Sequence, residues 1–144
     1  MFLGQHHHSF DTDGRLAVPP SFRESLSGGA YITQGFDRDL LVLSVETFRA
    51  VVRRFSELNI TDPLARLLLR MILGNASELE MDEGGRILIP SKLRDFAGLK
   101  DEAVLVGQGE YLEVWAPASW KEQELQLQDA QANAGRFASL EMLA

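Results

Sequence analysis

The sequence predicts an α+β protein with a mainly β core, arranged as one pseudo-twofold barrel of two tandem repeats with peripheral helices. Three observations lead to this prediction. Residues 11–24 align with residues 82–95 at an offset of 71. Each stretch carries a turn signal, then a short apolar strand and a proline. Few short strands per repeat leave unpaired sheet edges, and closing two interleaved copies into one barrel would remove them.

The alignment indicates a duplicated unit. With one extra residue in the second copy, the match continues as far as Phe48 over Trp120. We therefore divide the chain into a first repeat with a helical extension (1–76), a second repeat (77–130) and a frayed tail (131–144). The identical pairs in the aligned stretches are Asp11 with Asp82, Gly14 with Gly85, Arg15 with Arg86, Pro19 with Pro90, and Arg23 with Arg94.

Each repeat begins with a short strand that leads into a hairpin turn. The pairs Asp13-Gly14 and Gly84-Gly85 suit the positive φ angles of tight turns. The strand after each turn alternates apolar and other residues, and the following proline ends it. The apolar positions of these two strands are Leu16, Val18, Ile87 and Ile89.

A one-turn helix is expected after each proline, followed by two more strands. Ser21 or Ser91 is the predicted N-cap of this helix, and Gly28 or Gly98 is its predicted terminator. The further strands are predicted at 30–35 and 39–44 in the first repeat and at 102–107 and 111–116 in the second.

Longer helices close each repeat. Cap residues predict helices from Ser44 to about 58, from Asp62-Pro63 to Gly74, and from Pro117 to about 130. The apolar side chains of the middle helix are expected in the core or in a subunit contact. These are Leu64, Leu67, Leu68, Met71 and Ile72, while Phe48, Trp115 and Trp120 are expected to pack against the sheet.

Composition excludes several function classes. The chain has no cysteine, no apolar run near the ~20 residues of a membrane span, and no secretory signal pattern. Because nucleophile, phosphate-loop and metal motifs are also absent, we expect no enzyme activity, cofactor, metal or small-molecule substrate. The net charge of −7 is concentrated at the carboxyl end, where residues 99–144 carry three basic and eight acidic side chains.

The duplicated Asp-x-x-Gly-Arg turn, followed by a β-branched strand and proline, resembles the MraZ family of AbrB-like and SpoVT-like DNA-binding barrels. The opening Met-Phe-Leu-Gly and the passage 73–78 are also similar to that family. The resemblance covers about residues 1–125. It implies a double-psi-like or swapped-hairpin barrel and a homo-oligomeric ring that displays the arginine-bearing loops. It also implies a cytoplasmic, nucleoid-associated regulator that binds repeated GTG-containing boxes of double-stranded promoter DNA at a division and cell-wall gene cluster.

The resemblance assigns DNA recognition to the two turns. Arginine suits this role because its planar fork can reach guanine O6 and N7 together. Arg15 and Arg86 are the predicted base contacts. Asp11 and Asp82 are expected to orient them, Gly14 and Gly85 to shape the turns, and Arg23, Lys92 and Arg94 to contact phosphates.

Alternative interpretations remain for these residues. Asp11 and Arg15 can form a local ion pair across their own turn, worth ~0–1 kcal/mol when exposed. Arg23 and Arg94 can pair with the neighbouring acids, Glu24 and Asp95. A structural oligomer that binds only proteins is the alternative function, and it allows buried or neutralised turn arginines.

Acidic residues in the turns and a histidine run complete the set of candidates. Asp13 and Glu83 place negative charge beside the expected DNA contacts. His6, His7 and His8 invite a metal-site interpretation, but adjacent residues of a strand point to opposite faces, so three in a row cannot converge on one ion. We expect ordinary strand residues here.

Overall fold

The computed structural model describes residues 1–140. Its strands are β1 (Gln5–Ser9), β2 (Arg15–Ala17), β3 (Ala30–Gln34), β4 (Leu40–Ser44), β5 (Ser77–Leu79), β6 (Arg86–Leu88), β7 (Glu102–Gly107) and β8 (Tyr111–Trp115). Its helices are α1 (Pro20–Leu26), α2 (Val45–Phe55), α3 (Pro63–Ile72), α4 (Ser91–Ala97), α5 (Pro117–Gln128) and α6 (Ala130–Phe137). The predicted α+β class with a mainly β core is confirmed.

Six antiparallel strands form the main sheet, in the order β1-β7-β8-β4-β3-β5. The first strand of each repeat joins the other repeat, since β1 pairs with β7 and β5 pairs with β3. The central pair, β4 and β8, also comes from different repeats. Matched strands therefore occupy mirrored places in the order, which is consistent with the predicted pseudo-twofold arrangement.

The strands that follow the two turns form a separate ribbon. β2 pairs only with β6, and Leu16 lies opposite Ile87. Single bridges from Phe10 to Leu16 and from Met81 to Ile87 connect this ribbon to the sheet. Because β1 and β5 do not pair with the ribbon along their length, the predicted closed barrel is wrong. The sheet is open, with the ribbon beside it.

Alternation along the ribbon separates a core face from an outer face. Leu16, Val18, Ile87 and Ile89 are at most 2% exposed, as the apolar pattern predicts. Trp115 and Trp120 pack together in a second cluster, so their predicted packing role is confirmed. Burial of one face fixes the ribbon's register, because a slip of one residue would turn the apolar side chains outward.

The long helices begin at the predicted caps. The hydroxyl of Ser44 accepts a hydrogen bond from the Thr47 amide (3.2 Å), and Oδ1 of Asp62 accepts one from the Leu64 amide (2.9 Å). The first of these helices ends at Phe55, three residues earlier than predicted.

The caps of the short helices differ from the prediction in three of four positions. Pro19 and Pro90 occupy the N-cap positions. The Pro19 carbonyl accepts a hydrogen bond from the Phe22 amide, and the Pro90 carbonyl accepts from the amides of Leu93 and Arg94. Neither Ser21 nor Ser91 is therefore a cap. Gly98 ends α4 in the left-handed conformation as predicted, whereas Ser27, one residue before Gly28, is the C-cap of α1.

The peripheral helices are only partly buried. In α3, Ile72 is buried, while Leu64 and Leu67 are 73% and 61% exposed, so a subunit contact stays a prediction for these two leucines. Residues 131–137, predicted as part of a frayed tail, lie in α6, and residues 141–144 fall outside the described part of the chain. No helix within residues 1–140 is long and apolar enough to cross a membrane.

Candidate nucleic-acid interface

The first turn, residues 11–15, is a three-residue hairpin loop organised by its aspartate. The Asp11 amide donates to the Arg15 carbonyl, and the Asp11 carbonyl accepts from the Gly14 amide. Its Oδ1 accepts from the amides of Asp13 and Arg15, both at 2.9 Å. Gly14 has φ of +76°, the left-handed position of this loop type. The carboxylate therefore fixes the backbone from which the Arg15 side chain projects.

The second turn, residues 82–86, repeats the first bond for bond. Oδ1 of Asp82 accepts from the amides of Gly84 and Arg86, again at 2.9 Å. Gly85 has φ of +74°. In each turn only the second residue of the predicted pair is left-handed, so Asp13 and Gly84 do not need a positive φ.

Both arginines project from the outer face of the ribbon. Since Leu16 and Ile87 face the core, their strand neighbours Arg15 and Arg86 face outward. The side chains of Arg15 and Arg86 are 37% and 48% exposed. The antiparallel register brings the two turns to one surface, which we call the recognition ribbon (residues 11–18 and 82–89).

The ion pairs on this surface connect the two repeats. Arg15 Nη1 lies 3.9 Å from Oδ2 of Asp82, and Arg86 Nε lies 3.5 Å from Oδ2 of Asp11. The predicted alternative of a local pair within each turn is therefore replaced by a crossed arrangement. Both distances exceed the ~2.7–2.9 Å of a strong charge-assisted hydrogen bond, so the pairs are loose and exposed.

Each aspartate thus divides its two oxygens between two tasks. Oδ1 accepts from its own turn, and Oδ2 faces the arginine of the other turn. Hydrogen bonds from the amides of Arg86 and Gly84, together with the charges of Arg15 and Arg86, lower the pKa of Asp82. That carboxylate is therefore charged near neutral pH and can orient the opposite guanidinium.

The three candidate phosphate contacts occupy different environments. Lys92 is exposed on α4. Arg23 is half-buried, and its Nε donates to the Val18 carbonyl (3.0 Å). Arg94 is half-buried, and its Nη2 donates to the Lys100 carbonyl (2.7 Å). Within residues 1–140, neither arginine forms the predicted alternative ion pair with its acidic neighbour.

The histidine run lies on β1 as expected for a strand. His7 is exposed, whereas His6 packs edge-on against Phe22 with ring centroids 4.9 Å apart. Burial, followed by the charges of nearby groups, lowers the pKa of His8. No group of three or more metal-ligating side chains occurs in the described part of the chain.

Sequence reasoning missed one residue of the recognition ribbon. Leu88 is 50% exposed and lies directly opposite Arg15 in the β2–β6 register. Its signal was the alternation itself, because buried Ile87 and Ile89 require Leu88 to face outward. The outer surface therefore combines two arginines with an apolar side chain.

Fold and site together define a tandem-repeat α+β protein that displays two reciprocal Asp–Arg hairpin turns on one ribbon. A family model described as "MraZ protein, putative antitoxin-like" matches residues 1–71 and again residues 72–139. The chain belongs to the MraZ family, which confirms the resemblance drawn from the turns.

Three relatives cover nearly the whole chain, and each is named "Transcriptional regulator MraZ". The protein of Thermomicrobium roseum is 41% identical over 97% of this chain and 99% of its own length. That of Roseiflexus castenholzii is 42% identical over 96% and 94%. That of Desulfitobacterium hafniense strain Y51 is 39% identical over 93% and 94%.

Proposed function

We propose that this protein is a sequence-specific DNA-binding transcriptional regulator that acts as a homo-oligomeric ring in the cytoplasm, associated with the nucleoid. Its targets are repeated GTG-containing boxes in the promoter of a division and cell-wall gene cluster. The observation that carries the proposal is the outward pair Arg15 and Arg86 on one ribbon, held by reciprocal aspartates. Relatives named as transcriptional regulators support the same assignment.

Magnitudes favour DNA contact over the crossed ion pairs. An exposed ion pair contributes ~0–1 kcal/mol, whereas a bidentate arginine–guanine contact gives roughly 1–3 kcal/mol of discrimination. It is therefore favourable for Arg15 to leave the carboxylate of Asp82 and bind a guanine edge. The same holds for Arg86, which leaves the carboxylate of Asp11. Asp11 and Asp82 orient the arginines in the free protein and keep the turns shaped in the complex.

Other residues of this surface supplement the arginines. Lys92 is placed to contact phosphate, which positions the protein without reading sequence. Leu88 can contact a thymine methyl group, an apolar feature of the major groove. The GTG repeat offers guanines with thymine between them, which matches arginine and leucine side by side.

A ring compensates for the small contact area of one subunit. One subunit offers two turns on a chain with a net charge of −7. It binds DNA weakly alone, because affinity for DNA depends largely on neutralised phosphates. Several linked subunits on repeated boxes bind with avidity far above that of one subunit. Repeated boxes and repeated subunits thus fit the same proposal.

A protein-interaction oligomer without DNA binding is the second candidate. Leu64 and Leu67 of α3 are exposed, and the turn arginines already face carboxylates. These features suit a subunit or partner contact that leaves the recognition ribbon unused.

Binding to the protein's own upstream duplex and to a scrambled duplex, across a salt series, separates the two functions. We expect specific retention that Arg15→Ala and Arg86→Ala each weaken while the oligomer measured by sedimentation is intact. Arg54→Ala, an exposed arginine on α2, is the matched control and should bind normally. Equal binding to both duplexes would indicate phosphate contact alone, and no binding at low salt would favour the second candidate.

A further inference from the structure

Arg23 of the first repeat lies against the turn of the second. A Cβ built on Gly85 would lie 2.6 Å from Cζ of Arg23, far inside contact distance. The same arginine donates from Nε to the Val18 carbonyl at 3.0 Å, and the Val18 amide donates to the Gly85 carbonyl at 2.8 Å. Arg23, Val18 and Gly85 therefore form one packed group that crosses the repeat boundary.

Arg94, the equivalent residue of the second repeat, lies against the turn of the first. A Cβ on Gly14 would lie 3.2 Å from its Nη1. Its Nη2 donates to the Lys100 carbonyl at 2.7 Å, and its guanidinium lies over the ring of Phe10, 4.1 Å from the centroid. Phe10 directly precedes Asp11, so Arg94 lies beside Gly14 and beside the residue that leads into the first turn.

We infer that Arg23 and Arg94 are positioning residues that act across the repeats, Arg23 on the turn that carries Arg86 and Arg94 on the turn that carries Arg15. This inference rests on the proposed DNA-binding function. It replaces the expectation that both arginines contact phosphate. A rigid planar guanidinium packed under the left-handed glycine limits the movement of the residue directly before each recognition arginine.

The packing of these two guanidinium groups argues against phosphate contact. Each arginine already donates to a main-chain carbonyl, and one face of Arg94 is covered by Phe10. Lys92, which neighbours Arg94 in sequence but is exposed, is the contrasting residue. Positioning and phosphate contact therefore predict different results for Arg23 and Lys92.

The DNA test combines conservative variants with double-mutant cycles. Arg23→Lys keeps the charge but loses the planar fork, so we expect a loss of tenfold or more in specific affinity with an unchanged salt slope. Combined with Arg86→Ala, Arg23→Lys should cause little further loss of specific affinity, whereas combined with Arg15→Ala it should cause its full loss. Arg94→Lys should show the reverse, with little further loss in Arg15→Ala and its full loss in Arg86→Ala. Lys92→Ala is the control and should lower the slope by about 0.9 for the one phosphate that Lys92 neutralises.

Amide hydrogen exchange without DNA gives an independent readout. We expect Arg23→Lys to speed exchange of the Gly85 and Arg86 amides while those of Gly14 and Arg15 stay protected, with the opposite pattern for Arg94→Lys. This crossed pattern decides the positioning role even if the wild-type protein binds neither duplex and the proposed function fails. Equal changes in the exchange rates of both turns would overturn the inference. A lower salt slope for Arg23→Ala, with equal losses of affinity for the specific and the scrambled duplex, would also overturn it.

Discussion

The two turns have the same internal hydrogen bonds but different surroundings. In both, the aspartate accepts from two amides of its own loop at 2.9 Å. Gly85, however, is buried against the guanidinium of Arg23, while Gly14 is half-buried with Arg94 farther away. The motif thus determines the shape of each loop, and elements of the other repeat determine how tightly that loop is held.

The outer faces of the two turns differ as well. The more exposed Arg86 lies opposite Ala17, and the less exposed Arg15 lies opposite Leu88. The small neighbour leaves the Arg86 side chain more exposed than that of Arg15, which lies beside Leu88. Duplication has therefore produced two non-equivalent arginine positions from one motif.

The largest expected difference between the turns concerns DNA affinity. Arg86→Ala should weaken specific binding more than Arg15→Ala, because Arg86 is more exposed and its turn is more firmly held. In the proposed complex, removal of either arginine would cost roughly 1–3 kcal/mol of discrimination in each subunit, and a ring would multiply this cost over its subunits. Fluorescence anisotropy with an upstream duplex at fixed salt measures both variants. Weaker binding by Arg15→Ala than by Arg86→Ala would contradict this ranking.

Glycine substitutions test how tightly each turn is held. Gly85→Ala should destabilise the protein by about 2–4 kcal/mol, since a left-handed alanine costs ~1–2 kcal/mol and its Cβ also collides with Arg23. Gly14→Ala should cost about 1–2 kcal/mol, because the nearest atom lies at 3.2 Å. Urea unfolding gives both values.

Gly98→Ala provides the control for these substitutions. Gly98 has φ of +67° but nothing within 4 Å of an added Cβ, so it reports the backbone cost alone. Equal destabilisation of all three variants would show that Arg23 does not hold the second turn.

Local sequence signals predicted the parts of the fold that depend on nearby residues. The turn pairs, the apolar alternation through Leu16 and Ile87, and the caps Ser44 and Asp62 each act over a few residues, and the structure contains all of them. The serine caps failed because each short helix begins earlier than predicted, with Pro19 and Pro90 at the N-cap positions, so Ser21 and Ser91 lie inside the first turn.

Interactions between the repeats were beyond such reasoning. An alignment shows that Asp11 and Asp82 are equivalent, but it does not show that each faces the arginine of the other turn. That crossing follows from the pairing of β2 with β6, which joins residues about 70 positions apart. The predicted barrel failed for the same reason, since strand closure depends on long-range pairing that no short pattern encodes.

Substitution of the aspartates separates their structural and electrostatic tasks. Asp11→Ala should destabilise by about 1–2 kcal/mol, because two amides of the turn lose their acceptor, and Asp82→Ala should destabilise the protein for the same reason. Asp→Asn keeps an acceptor oxygen and should cost less than Asp→Ala in each turn, with the larger cost at Asp11, whose ion pair is shorter. Thermal unfolding of the four variants measures the order. An equal loss for Asn and Ala would assign the aspartates to charge alone.

A second difference between the repeats lies at the centre of the sheet. Glu113 lies opposite Leu41, its counterpart in the repeat alignment, so the two repeats place different side chains at this position. Its Oε1 accepts from Trp115 Nε1 and Gln108 Nε2, both at 3.1 Å. Burial, followed by a hydrogen bond with buried Asp39, raises the pKa of Glu113 to about 7, and burial also raises the pKa of Asp39. Oδ2 of Asp39 has no hydrogen-bond partner in the described structure, so a proton shared between the two carboxyl groups would satisfy it.

The smallest expected effect is a pH dependence of stability that requires Glu113, whose counterpart in the first repeat is Leu41. A carboxyl group whose pKa rises on folding stabilises the folded state at pH values below its ordinary pKa, which is 4.5 for Glu113. This stabilisation is lost as the pH rises through the raised pKa of about 7. Glu113→Gln removes the titrating group and keeps an amide that can donate to Asp39. The Tm of Glu113→Gln minus the Tm of the wild type should therefore increase as the pH rises from 5 to 7.5. A stability change of 1 kcal/mol shifts the Tm of a chain of this size by roughly 4 °C. The increase in the Tm difference should be smaller than this, because Glu113 is partly exposed and solvent screens its charge. Thermal scans at four pH values measure the difference, with Glu110→Gln, an exposed neighbour, as the control. Parallel Tm curves for wild type and Glu113→Gln would show that the carboxyl pair holds no proton in the folded protein, and that the repeats do not differ in this respect.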